Sequence, residues 1–130
     1  MTDALVVCSL GTLRVDLDDG SVTDAEDTDL AVIDAEVSLP LLVAADRVGA
    51  RIVALVARRP PLLVSDDAGA TWTELGGGLP PGVAVAISPE HPDDVVYASA
   101  ERLFVSNDGG RFWAALAIEL PEITAVAFAS

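Results

Sequence analysis

Short apolar runs rich in Val, Ala and Leu follow one another along the chain, each cut off by a cluster of Gly, Pro, Asp or Ser. This is the pattern of β-strands joined by tight turns. Three of the runs, Leu41–Asp46, Val83–Ile87 and Ile123–Phe128, follow a Leu-Pro pair, and those pairs (Leu39-Pro40, Leu79-Pro80, Leu120-Pro121) recur at offsets of 40 and 41 residues. Their Ala and Val content suits tightly packed inner strands. A turn rich in Pro, Asp or Gly comes next, then a second strand, Ile52–Ala57 or Val95–Ser99.

The clearest repeat lies beyond that second strand. Pro61–Trp72 returns as Arg102–Trp113, 41 residues later, each copy being an apolar run ending in Val and then Ser-x-Asp-x-Gly-x-x-Trp. Ser65, Asp67, Gly69 and Trp72 carry the first copy, and Ser106, Asp108, Gly110 and Trp113 the second. The run reads as a third strand and the polar residues as a hairpin into a fourth strand that begins at Thr71-Trp72. In such a turn an Asp carboxylate accepts from backbone N–H groups that have no ladder partner. Gly supplies a positive φ, Ser adds a local bond, and Trp covers the turn. Local bonding accounts for every position, so a structural role is expected in preference to a catalytic acid or a calcium ligand.

A degenerate third copy precedes these. Thr12–Gly20 aligns with Asp16 for Ser, Asp18 for Asp and Gly20 for Gly, without the Trp. From Gly20 to Leu39 there are 19 positions against ten in the other units, and the excess within 21–38 includes Asp24, Glu26, Asp27 and Asp29. A solvated loop or widened hairpin is the plain reading of that acidic insert, since its spacing does not match a calcium loop. The units are then 1–38, lacking a first strand, 39–78, 79–119, and a further first strand in 120–130. A period near 40 residues built of short strands has the size of a four-stranded propeller blade. The expected fold is all-β: one domain of three blades.

The two in-register motifs resemble the Asp-box, or BNR repeat, of β-propellers that include sialidases, xyloglucan-degrading glycosidases, sortilin-type receptors and photosystem II assembly factors. The resemblance implies that the motif sits at the outer hairpin between the third and fourth strands of a blade, away from the central channel. It also implies a structural role there, and it does not choose among those functions. Sialidases combine an arginine cluster, a Tyr–Glu nucleophile pair and a catalytic Asp, whereas this chain has one Tyr, Tyr97, inside an apolar strand, and no Phe-Arg-Ile-Pro motif near its start. No Gly-rich phosphate loop, Ser–His–Asp order or His-based metal motif is present. A non-catalytic binding or assembly scaffold is the expected function, with a protein or carbohydrate ligand and no cofactor or metal. A glycosidase-like propeller, or a fragment of one, is the alternative.

Charge narrows the partners. The 130 residues carry 21 acids against seven bases, all Arg, for a net charge of −14, which repels phosphate backbones and argues against nucleic acid. Arg58-Arg59 is the one local basic feature, read either as a solvated turn or as a contact for an acidic partner or carboxylate ligand. Cys8 is the sole cysteine, a small buried hydrophobe by expectation, and the sole His, His91, lies in a turn-like segment. The first ten residues carry an acid where a signal peptide has positive charge, and no apolar run has transmembrane length, so a cytoplasmic location off the membrane is expected.

Closure is the remaining question. The first unit starts at its second strand, Ala4–Ser9, and the last run, Ile123–Phe128, is a first strand with nothing after it. Each is the natural partner of the other. Three blades are few for a closed ring, so the chain is expected to be either a partial propeller from a longer protein or half of a homodimer in which each chain completes the other's first blade, giving six blades.

Overall fold

The computed structural model describes residues 3–25 and 39–128, and every regular element within them is a β-strand. The first unit contributes β1 (Asp3–Cys8), β2 (Gly11–Asp16) and β3 (Val22–Asp24). The second contributes β4 (Leu42–Val48), β5 (Arg51–Val56), β6 (Leu62–Ser65) and β7 (Thr73–Leu75). The third contributes β8 (Ala84–Ile87), β9 (Val95–Ala98), β10 (Arg102–Ser106) and β11 (Ala114–Glu119), and β12 (Ala125–Phe128) ends the described chain. These strands form three four-stranded antiparallel sheets in the orders β12-β1-β2-β3, β4-β5-β6-β7 and β8-β9-β10-β11. The fold is all-β, three propeller blades.

Strands β5, β6, β8 and β9 of the second and third blades read as apolar runs because both of their faces are covered. Ile52–Val56, Leu62–Ser65, Ala84–Ile87 and Val95–Ala98 are buried along their whole lengths. Val53, Leu55 and Leu62 of the second blade pack against Val85, Val95 and Tyr97 of the third. On the other side of the third blade, Ala86, Val96 and Leu103 pack against Val6, Val15 and Val126 of the first. Strand β8 packs against both β4 and β12, whereas β4 and β12 make no comparable contact, so the inner strands trace an arc with the third blade at its centre.

The last strand does pair with β1, but the pairing is made within one chain. Ala4 faces Phe128, Leu5 faces Ala127, Val6 faces Val126 and Val7 faces Ala125. Beside this ladder, Ser9 N–H donates to the Pro121 carbonyl at 3.0 Å and Thr124 N–H to the Val7 carbonyl at 2.9 Å. Exchange between two chains is therefore not needed to give β1 its neighbour. Pairing in one chain does not bend the three blades into a complete ring, because β12 reaches β1 while β4 and β12 make no comparable contact.

The recurring Leu-Pro pairs are the corners between one blade and the next. Leu79 and Leu120 are buried there. The residue after the Pro takes a positive φ in two of the three corners, Leu41 at 60° and Glu122 at 51°. In the other corner that position is Pro81, whose ring forbids positive φ, and Gly82 follows. A Cβ on Gly82 would run into the ring of Tyr97. The Tyr97 hydroxyl donates to the Pro80 carbonyl at 2.6 Å, and its ring meets Phe104 and Trp113 edge-on at centroid distances of 6.2 and 5.9 Å. Burial pushes the phenol up to about 12. Tyr97 is thus a core residue whose polar tip fastens a corner.

Two strand starts differ from the sequence reading. The fourth strands begin at Thr73 and Ala114, after the Trp of each motif rather than at Thr71-Trp72, because the N–H groups of Thr71 and Phe112 are taken by Asp carboxylates. Of the acidic insert only 21–25 is described, and Val22–Asp24 in it forms the outer strand of the first blade. Glu26, Asp27 and Asp29 lie outside the described residues.

Leu55→Ala, which empties space between two blades, is expected to cost about 2–5 kcal/mol in denaturant unfolding. Tyr97→Phe leaves the Pro80 carbonyl without its donor and is expected to cost about 1 kcal/mol. Because the folded phenol is raised above the ordinary 10.0 to about 12, its contribution is complete below pH 10 and is lost as pH rises through 12. Tyr97→Phe should flatten the alkaline limb of the stability profile, measured as Tm against pH.

Candidate functional site at the outer hairpins

In the second blade, β6 delivers Ser65 to the mouth of the hairpin, where the buried hydroxyl accepts from Gly69 N–H at 2.8 Å and donates to Asp67 Oδ1 at 2.7 Å. Asp67 Oδ1 also accepts from Thr71 N–H at 2.8 Å, and Oδ2 accepts from the Thr71 hydroxyl at 2.5 Å. Gly69 sits at φ 94°, with the Trp72 ring close over it. The two bonds from Thr71, helped by the Ser65 hydroxyl, hold the Asp67 carboxyl down at about 2. That group is exposed, so the shift reports hydrogen bonding and no desolvation cost of consequence.

The third blade repeats the arrangement. Ser106 Oγ accepts from Gly110 N–H at 2.9 Å and donates to Asp108 Oδ1 at 2.7 Å. Asp108 Oδ1 accepts from Arg111 and Phe112 N–H at 3.1 and 3.0 Å. Phe112 stands where the first copy has Thr71 and offers no hydroxyl, so here the Phe112 N–H and the Ser106 hydroxyl lower the carboxyl. Trp113 Nε1 donates to the Gly110 carbonyl at 2.8 Å, which locks the covering ring.

The first blade keeps only the position of the turn. Asp16 Oδ1 accepts from Asp18 and Asp19 N–H at 2.8 and 3.2 Å, so Asp16 does the work of the Ser. Gly20 again has positive φ, 77°, and its N–H donates to the Asp16 carbonyl. The next acceptor is Asp19, which takes Ser21 N–H at 2.7 Å and is lowered by that bond. Asp18, aligned by sequence with Asp67 and Asp108, donates its own N–H to the Asp16 carboxylate.

A residue that the repeat could not reveal joins the second and third blades. Arg51, at the start of β5, places Nε 2.7 Å from Asp66 Oδ1 on its own hairpin and Nη1 2.5 Å from Asp93 Oδ1 of the next blade, and Nη1 also donates to the Pro92 carbonyl at 3.0 Å. Both carboxylates raise the Arg51 pKa, Asp93 more strongly. Asp46 on β4 makes a second cross-blade bond, accepting from Ile87 N–H at 2.9 Å. Between the hairpins lies a cleft of about 450 Å³ lined by Arg51, Asp66, Asp93, Asn107, Asp108 and Arg111. Arg111 also borders a cleft of about 330 Å³ walled by Gly76–Gly78, Phe104, Phe112 and Trp113. Phe112 is 79% exposed.

The other candidates lie elsewhere. Arg58 Nη1 is 3.8 Å from Glu74 Oε2 of the outer strand, and Arg59 is exposed beside it. Neither borders the two clefts. Cys8 is buried, its thiol pointing to the Gly11 carbonyl at 3.6 Å, and His91 is exposed on a turn of a different sheet. Among the described residues no group of three or more His, Cys, Asp or Glu could hold a metal ion, and no helix is long and apolar enough to cross a membrane. The sequence carried a faint signal for the cleft: one Arg abutting a buried strand in a chain short of basic residues.

No family model matches the chain, and no curated protein matches it in sequence. Among solved structures it is similar to a GH74 enzyme of Niastella koreensis, a β-propeller glycoside hydrolase, with a TM-score of 0.50 and 18% identity over 92% of this chain. The chain spans 18% of that enzyme's length. At this identity the likeness speaks to the propeller fold.

Asp67→Ala and Asp108→Ala are each expected to lower Tm by roughly 5 °C, by stripping acceptors from several turn donors at once. Asp18→Ala should change it less. Asp67 is lowered from 3.8 to about 2, so its contribution is present above pH 3.8 and lost as pH falls through 2. Acid unfolding followed by circular dichroism should show that limb flattened in Asp67→Ala.

Proposed function

We propose that the chain is a non-catalytic β-propeller scaffold that binds or assembles with a protein or carbohydrate. The observation that carries this reading is the bonding of five acids at the outer hairpins and the blade boundary. A glycosidase needs one carboxyl raised so that it can give up a proton at neutral pH, facing a second that stays ionised. Here the carboxyls of Asp19, Asp67 and Asp108 are all held below the ordinary carboxylate range by donors within their own turns. Asp66 and Asp93 are tied to Arg51. Such groups hold hairpins and join blades, and a proton donor is the one thing they are unfit to be.

The likeness to a GH74 enzyme favours a second reading, in which these blades are part of a glycosidase-like propeller. The two readings part in a screen with chromogenic glycosides. The scaffold reading expects no turnover above buffer by the purified chain. Clear turnover abolished by a single Asp or Glu substitution that leaves Tm unchanged would establish the enzyme instead.

A further inference from the structure

We infer that the paired clefts between the outer hairpins of the second and third blades form a binding site for a neutral oligosaccharide, with Phe112 as its stacking platform and Arg111 as its central hydrogen-bond donor. This rests on the binding-scaffold reading and names the ligand class.

Three features of the clefts support the assignment. The first is Phe112. A phenyl ring 79% exposed is an expensive choice at a turn position that the other copy of the motif fills with Thr71. Thr71 gives its turn an extra hydroxyl bond to Asp67, so the third blade forgoes a local bond and presents an apolar ring to water. Beside it, Phe104 and Trp113 line the same cleft, together with the exposed backbone of Gly77 and Gly78. Aromatic rings and open peptide groups in one cleft suit a ligand with one CH face and a rim of hydroxyls.

The second feature is Arg111. Its backbone N–H is held by Asp108, yet its guanidinium makes no hydrogen bond or ion pair among the described residues, although it borders both clefts. An arginine fixed at its root, with its fork unoccupied in a chain so rich in acids, is placed to donate to a ligand.

The third feature is the charge balance of the larger cleft. Asp66 and Asp93 flank Arg51, and Asn107, Asp108 and Arg111 line the same cleft, so acceptors and donors are both present without a dominant sign. An anion would meet three carboxylates, and a strongly basic peptide would meet two guanidiniums. Hydroxyl groups both donate and accept, so a neutral polyol can accept from the Arg111 guanidinium and also donate to carboxylate or Asn107 oxygens of the same cleft. Together, two clefts of about 450 and 330 Å³ sharing one arginine offer room for more than a single sugar ring.

The test is native affinity electrophoresis of the full chain through gels containing β-glucan, xylan, galactomannan or soluble starch, with polylysine as the basic control. Wild type should be retarded by at least one polysaccharide. Phe112→Ala and Arg111→Ala should each weaken that retardation about tenfold, Phe112→Trp should keep it, and Arg58→Ala with Arg59→Ala should not alter it. Phe112 and Arg111 are both exposed, so their variants should melt with wild type and report binding alone. No retardation by any of the four polysaccharides, retardation indifferent to Phe112→Ala, or binding to polylysine alone would each overturn the site. None of those results bears on the chromogenic screen, which judges the non-catalytic reading separately.

Discussion

Strand β1 is a mostly buried strand lying second in its four-stranded sheet, and its backbone needs a hydrogen-bonded neighbour on each side. One neighbour is β2, the next strand in sequence, and the other is β12, more than a hundred residues away. An unpaired edge at β1 would leave peptide groups unsatisfied next to Val6, Val15 and Val126, in the apolar contact that joins the first blade to the third. The ladder from Ala4–Phe128 to Val7–Ala125 therefore does two things at once: it completes a four-stranded blade and ties the two ends of the described chain together.

With that blade complete, the remaining stability problem is local. Each blade ends in a hairpin whose turn must satisfy several N–H groups that no ladder reaches. Ser65 with Asp67, and Ser106 with Asp108, accept those donors within a few residues, so the turn is self-sufficient and can be copied from blade to blade. The first blade shows what happens when the copy decays. Asp16 and Asp19 share the acceptor work, and the Trp cover is absent. Cross-blade polar bonds are fewer and are not copied. Arg51 reaches Asp93 and Asp46 reaches Ile87 N–H, both across the boundary between the second and third blades.

This contrast explains what the sequence disclosed. Strands and turns repeat, and repetition makes a weak local signal readable: β6 covers Leu62–Val64 and β9 falls within Val95–Ser99, while Ser65 and Ser106 donate to Asp67 and Asp108 in matching turns. The partner of β1 was legible too, since only one strand lacked a mate, but whether it came from the same chain depended on the spacing of the inner strands, which periodicity does not encode. The candidate site was the least legible part. Arg51, Asp93, Arg111 and Phe112 gain their meaning from clefts between two blades, and none of them is repeated at the matching position of the other unit. The Arg58-Arg59 pair stood out in sequence because two like residues are adjacent, yet Arg58 faces Glu74 of the outer strand, away from the clefts.

The pairing of β12 with β1 inside one chain is the claim on which the rest stands, and a designed disulfide tests it directly. Val7 and Ala125 are register partners, both half-buried. In a Cys8→Ala background, Val7→Cys with Ala125→Cys should oxidise to an intramolecular bridge, seen as a monomer of increased mobility on non-reducing gels and unchanged by dilution of the protein before oxidation. Covalent dimers as the main product, diminishing on dilution, would show that the strand is exchanged between chains and would contradict the account.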